Sequence, residues 1–219
     1  SADNFYYPKN GYGIICENLS KKFLEKRGEI ILNTKLTSIN LKKNRLSSVS
    51  YILNEDKKNA PCSHLVSTMA INEFIPFFKD KEITLMTENA LKNIKFRSLI
   101  IVYVFLKKEK ALKDNWIFFP EKEFCFNRVA EQKSFSKFTC PKDKTVLTAE
   151  ITCDFGDEVY NSADNDIKNN VINDLVKAKL IRREEVYDFL IRKAGRVYPV
   201  YDLNYKNNLN VLLGWLDEI

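Results

Sequence analysis

Apolar and polar positions along this chain follow two periods, and the changes between them mark its elements. Over residues 11–27 the apolar positions Ile14, Ile15, Leu19 and Phe23 recur at the three- and four-residue spacing of an amphipathic helix. Lys26 and Arg27 followed by Gly28 read as that helix's C-terminal end. Residues 29–33 then predict a short strand. Residues 36–41 and 46–53 alternate apolar with polar across Lys42-Lys43-Asn44-Arg45, which predicts a β-hairpin. A further strand is expected at 64–68 and a short helix at 71–78.

The middle of the chain reads as strands. Residues 96–107 form a long run rich in β-branched and aromatic side chains, and 115–119, 126–130 and 145–155 are further candidates. In the last of these Leu147, Ala149, Ile151 and Cys153 oppose Val146, Thr148, Glu150 and Thr152, the period of two that puts alternate side chains on opposite faces. Consecutive strands of this kind favour antiparallel pairing. Residues 164–180 predict a helix capped by Ser162 or Asp164, with Ile167, Val171, Leu175 and Val176 on one face. Residues 186–198 suit helix or strand, and 205–216 predict a closing helix. The class is α+β, a mainly antiparallel sheet packed with helices. A helix-plus-hairpin segment is expected at 1–80 and a second α+β domain at 81–219, or one continuous domain.

Composition narrows the function classes. With 219 residues, 45% of them hydrophobic, the chain can build a substantial core. Its net charge of +6 is spread through acidic and apolar segments, without the concentrated stripe of a nucleic-acid binder. The five cysteines show no metal-ligand or disulfide spacing, so buried thiols in a reducing, cytoplasmic setting are expected. The longest apolar run is too short to span a bilayer, and residues 1–4 lack a signal-peptide layout. His64 is the only histidine, which excludes a multi-histidine metal site. A Cys62–His64 nucleophile pair has no orienting partner. Asp154-Phe155-Gly156 lacks the companion motifs of a kinase and reads as a turn.

Four patches, in order, carry a family resemblance. They are Tyr7-Pro8-Lys9-Asn10-Gly11-Tyr12-Gly13 with the helix after it and residues 31–39; Leu65-Val66-Ser67-Thr68; residues 96–102 with Trp116-Ile117-Phe118-Phe119-Pro120 and Asn127-Arg128-Val129; and Tyr198-Pro199-Val200-Tyr201-Asp202. Together they resemble the central, substrate-side part of the flavin-dependent amine oxidase superfamily, in its protoporphyrinogen oxidase-like and UDP-galactopyranose mutase-like branch. That resemblance implies FAD as cofactor and a small-molecule substrate, a nucleotide sugar in the mutase version. It also implies a flavoenzyme linked to lipopolysaccharide or surface-polysaccharide synthesis.

The family's GxGxxG turn and its C-terminal glycine-rich FAD segment are not among these residues. A missing FAD-binding domain of the same polypeptide is therefore the expected partner, and the chain alone is expected to be inactive. The nearest match, Gly11-Tyr12-Gly13, lacks the third glycine and a preceding buried strand. The resemblance implies that Gly11 and Gly13 approach the flavin ring, and that Leu36 lays its backbone against the adenine.

A flavin carries its own redox chemistry, so the protein must supply walls and anion-holding groups. Tyr7, Phe119, Tyr198 and Tyr201 are the candidate walls; Arg97 and Arg128 are the candidate clamps. An arginine in an otherwise apolar strand requires a partner. For Arg128 this is a substrate phosphate or carboxylate, or else Glu131 or Glu150 within the sheet. For Arg97 a structural ion pair is favoured. The alternative to a flavoenzyme part is a non-catalytic module that binds a ligand or protein on its aromatic-rich sheet.

Overall fold

The apolar run at 96–107 forms an interior strand of a sheet, in a computed structural model that describes residues 5–219. Residues 1–4, which carried the signal-peptide expectation, lie outside the described residues. In chain order the elements begin α1 (Gly13–Glu25), β1 (Thr34–Lys42), β2 (Arg45–Leu53), β3 (Asp56–Pro61), α2 (Ile71–Phe74), α3 (Leu85–Asn93) and β4 (Phe96–Leu106). They continue β5 (Trp116–Phe118), β6 (Arg128–Glu131), α4 (Gln132–Phe135), β7 (Thr145–Asp154), α5 (Glu158–Asn161), α6 (Asp164–Lys177), β8 (Val186–Pro199) and α7 (Tyr205–Asp217). The chain divides into two units, Ser1–Gly28 with Arg97–Tyr198, and Glu29–Phe96 with Pro199–Ile219.

The first unit is built on a five-stranded sheet of order β5-β6-β7-β4-β8, antiparallel where β5, β6, β7 and β4 pair. Alternation decides its faces. Ile117, Val129, Ala149 and Val102 stand opposite one another in successive strands, and the last three are fully buried. They join Ile167, Val171 and Leu175 of α6 in one core. Fully burying a side chain of this kind stabilises by roughly 1.5–3 kcal/mol. Residues 186–198, open between helix and strand from sequence, form β8; Arg196 there has φ 52°, and a Cβ on Gly195 would meet the Phe155 ring at 2.7 Å.

The second unit pairs a three-stranded meander, β1-β2-β3, with α2, α3 and α7. Both of its turns are two residues long, Lys43-Asn44 (φ 52° and 55°) and Asn54-Glu55 (φ 50° and 70°). Positive φ at both central positions is what a twisted two-residue hairpin requires. Ile39, Ile75, Phe78, Leu212 and Trp215 form the core, and Trp215 donates its indole N–H to the Glu82 carbonyl at 2.9 Å.

Several expectations are corrected. Residues 29–33 and 64–68 form no strand: Asn33 is left-handed (φ 56°), Val66 is 91% exposed, and neither stretch joins a ladder among the described residues. β3 was not expected, because Asp56-Lys57-Lys58-Asn59-Ala60-Pro61 has no apolar alternation; it exists as an edge strand templated by β2. Helix α3 was also missed, and Thr84 caps it by accepting from the Thr87 N–H. The N-cap of α6 is Ala163, with no side-chain bond from Ser162 or Asp164.

The end of α1 differs in detail too. Arg27, not Gly28, takes the left-handed position (φ 64°). The Gly28 and Arg27 N–H groups donate to the Phe23 and Leu24 carbonyls, a Schellman closure. Gly28 also makes room for a neighbour: a Cβ there would lie 2.3 Å from the half-exposed Phe23 ring, which would have to swing aside. Gly28→Ala is expected to cost about 0.5–1.5 kcal/mol, the cost of forcing the Phe23 ring off its rotamer, with Phe23→Leu in the same chain relieving most of it; urea denaturation measures both.

Candidate functional site

The face of the sheet opposite α6 carries the other residues of the same alternation. Phe118, Arg128 and Glu150 form one cross-strand row, and Trp116, Ala130 and Thr148 the next. Phe135 of α4 stacks on Trp116 with ring centroids 5.6 Å apart and 22° between planes. Tyr7 stacks on Phe135 in turn (5.2 Å, 29°), and Tyr12 meets Tyr7 edge-on at 4.9 Å. The segment bearing Tyr7 is held by the Ser136 hydroxyl, which donates to the Lys9 carbonyl at 2.6 Å, and by the Lys9 ammonium 4.2 Å above the Phe138 ring.

These residues enclose a pocket of about 300 Å³, lined by Tyr7, Tyr12, Trp116, Arg128, Phe135 and Glu150 among others. Arg128 Nη2 donates to both Glu150 oxygens, at 2.6 and 2.7 Å, which leaves Nη1 and Nε outside that pair. The guanidinium carbon lies 5.9 Å from the Phe118 ring centre. Burial, and then Tyr12 beside it, push the Tyr7 phenol above its usual range, so it stays a neutral hydrogen-bond donor at neutral pH. Aromatic walls with a few converging polar groups suit a ligand that has both a ring and an anionic group.

The structure therefore brings Tyr7 and Arg128 together from distant parts of the chain. It places the other candidates elsewhere. Arg97 is on the same face but pairs with Asp154, four residues along β7 from Glu150, roughly 13 Å at the rise of a strand. Phe119 packs against Phe124 and Phe126 in the core, since it shares the inward parity of Ile117; Phe118 is the exposed ring, at 64%. Tyr198 is half-exposed at the end of β8. Tyr201 belongs to the second unit, exposed, with its ring edge-on to Tyr205 at 4.8 Å. Gly11 (φ 90°) closes a turn by donating its N–H to the Pro8 carbonyl, and Gly13 opens α1. Leu36 packs on the core of the second unit from β1, an edge strand. The sequence reading missed Tyr12, Trp116, Gln132 and Phe135 as pocket residues; the register that sets Phe118 opposite Arg128, and Trp116 opposite Ala130 on the same face, was the signal it lacked.

Residues 3–194 match the family model described as UDP-galactopyranose mutase. The chain belongs to the UDP-galactopyranose mutase family. Among solved structures its fold resembles reduced UDP-galactopyranose mutase, at a TM-score of 0.81 and 15% identity over 96% of this chain. A protoporphyrinogen oxidase-like protein from Exiguobacterium sp. 255-15 follows at 0.76 and 16% over all of it, and an engineered putrescine oxidase at 0.61 and 12% over 90%. The chain spans 45%, 46% and 44% of those three chains. No curated protein sequence matches it.

A dinucleotide's pyrophosphate sits on a glycine-rich turn between a strand and a helix. In this family member α1 follows the Pro8–Gly11 turn, with no strand before it among the described residues. The described residues thus lack that cradle. The outer edge of β1, beyond its ladder with β2, is itself partly occupied, since Ile39 bridges to Phe78 and the Leu41 N–H donates to Asp80 at 3.1 Å.

Proposed function

We propose that this chain is the substrate-side part of a UDP-galactopyranose mutase-like flavoprotein and that its aromatic pocket holds a nucleotide sugar. The observation that carries the reading is the convergence of Tyr7 and Arg128 on one pocket, in a chain matched to this family over residues 3–194. A stacked ring column offers a face to a planar base or to a sugar's C–H face. The free edge of Arg128 offers two further donors to a diphosphate. Tyr7 and Tyr12 add hydroxyl donors at the mouth.

FAD belongs to this proposal as the cofactor of the whole protein; when bound it supplies the redox or covalent chemistry. Its phosphates are held by residues outside those described. Helix α1 supports a further cofactor-binding part. Its Ile15, Leu19, Phe23 and Leu24 are 45–64% exposed and none of its residues is buried, the condition of a face made to be covered. In the same reading the reaction is cytoplasmic and feeds lipopolysaccharide or surface-polysaccharide synthesis.

Titration of this chain with UDP and, separately, with FAD tests the proposal. Saturable UDP binding with FAD binding weak or absent is expected. No interaction with UDP, for this chain or a flavin-complete protein, would remove the nucleotide-sugar reading.

A further inference from the structure

A broad hollow of about 640 Å³ lies in the first unit at the C-terminal end of α6. Lys108, Lys179, Arg182 and Arg183 surround its apolar floor of Val176, Leu180 and Ile181, with Glu184 and Glu185 between them. The fold sets these cations in place. Glu185, 9% exposed, accepts from the Arg182 N–H at 2.9 Å, Arg182 Nε at 3.2 Å and Lys108 Nζ at 3.2 Å, so its charge is committed to holding two of them. Lys179 takes the left-handed position (φ 58°) that closes α6, and its ammonium has no partner among the described residues. Arg183 bonds the neutral Asn173 and keeps its full charge. Two more cations sit beside the rim: the Lys107 N–H donates to the Glu185 carbonyl at 2.8 Å, and the Lys144 ammonium lies 4.9 Å from the Tyr187 ring. At the other end of the unit cations are neutralised instead, Arg97 by Asp154 and Lys193 by Asp164. Positive charge that is dispersed along the sequence is thus gathered at one end.

We infer that this end of the first unit docks on an anionic bilayer surface. Lysines and arginines clustered on one exposed face are drawn to acidic lipid headgroups, and their long stems let each charged tip reach that plane. The hollow is open, so it does not enclose a small anion, and no aromatic ring lines it to stack a nucleobase. Strands β4 and β8 join the second unit through their other ends, at Arg97 and Tyr198, so neither connection crosses it. Nothing here depends on the nucleotide-sugar reading.

The chain is co-sedimented with vesicles of phosphatidylcholine and with vesicles that also carry phosphatidylglycerol. Binding to the anionic vesicles alone is expected, weakening as salt is raised. Lys179→Gln with Arg183→Gln, chosen because neither residue holds Glu185, is expected to reduce it about 10- to 30-fold. Lys57→Gln with Lys58→Gln removes the same charge from the exposed strand β3 and is expected to change it less than about twofold. A loss of equal size in both pairs would assign the effect to net charge and overturn the inference. So would equal binding to phosphatidylcholine, which points to the apolar face of α1, or binding to polyuridylate with none to vesicles. Inorganic phosphate at constant ionic strength separates the headgroup from the free ion. If phosphate releases the vesicle-bound chain and chloride does not, the hollow is a phosphate site and the bilayer is not its partner.

Discussion

Arg128→Ala is expected to weaken UDP binding by about 10- to 100-fold, the loss that follows from removing charge-assisted hydrogen bonds worth roughly 1.5–3 kcal/mol. Arg128→Lys keeps the charge but not the planar fork, and is expected to fall between the two. Glu150 supplies the opposite test. Its carboxylate, 17% exposed, pairs with Arg128 and adds negative charge where a diphosphate would arrive. Glu150→Gln is expected to tighten UDP binding several-fold. Isothermal titration of the three variants measures all of this. If UDP binds and Arg128→Ala leaves its affinity unchanged, Arg128 serves only the cross-strand ion pair and leaves the site.

Glu131→Ala is expected to destabilise the first unit by about 3–5 kcal/mol, since each buried donor left unpaired costs roughly 1–3 kcal/mol. Glu131 is fully buried, yet both its oxygens are used. Oε1 accepts from the Ala111 N–H at 2.8 Å and the Thr145 hydroxyl at 2.6 Å; Oε2 accepts from the Leu112 N–H at 2.8 Å and the Ser134 hydroxyl at 3.3 Å. Those bonds tie the segment before β5 to β6 and β7, immediately ahead of Trp116. Against a total stability of roughly 5–15 kcal/mol, the loss is large. Glu131→Gln fills the space but turns an amide N–H₂ toward donors, so it is expected to recover only part. Thr145→Val, which removes one bond, is expected to cost about 1 kcal/mol. Urea denaturation ranks the three, and a Glu131→Ala chain as stable as the parent would show that water replaces the carboxylate.

Glu131 and Glu150 also show how far a linear reading reaches. Both stood as possible partners of Arg128 because each lies on a strand near it. Their parity separates them. Glu150 pairs directly opposite Arg128, whereas Glu131, three residues along β6, points to the buried side and meets backbone amides. Phe118 and Phe119 divide in the same way: only one of two adjacent rings can face the pocket. The strand–strand register decides which, and no single strand states it.

The resemblance and the α+β class were legible because they depend on local pattern: the period of α1, the alternation of β7, the Lys43-Asn44 turn. Where the pattern was weak the reading failed, as at β3, whose polar strand exists only because β2 templates it, and at residues 64–68, which have strand-like composition but no partner.

By itself the sequence determined which segments are helix or strand wherever apolar periodicity was strong, and which residue types were available for an anion and a ring. Helical and strand periods are local properties, set by backbone geometry over a few residues. Tertiary structure alone decided that residues 5–28 lie with 97–198, that Tyr7 stacks on Phe135 beside Arg128, and that Arg97 is occupied by Asp154. Those outcomes depend on which distant strands pair and in what register. Burial of the whole core sets that register, and no short stretch of chain encodes it.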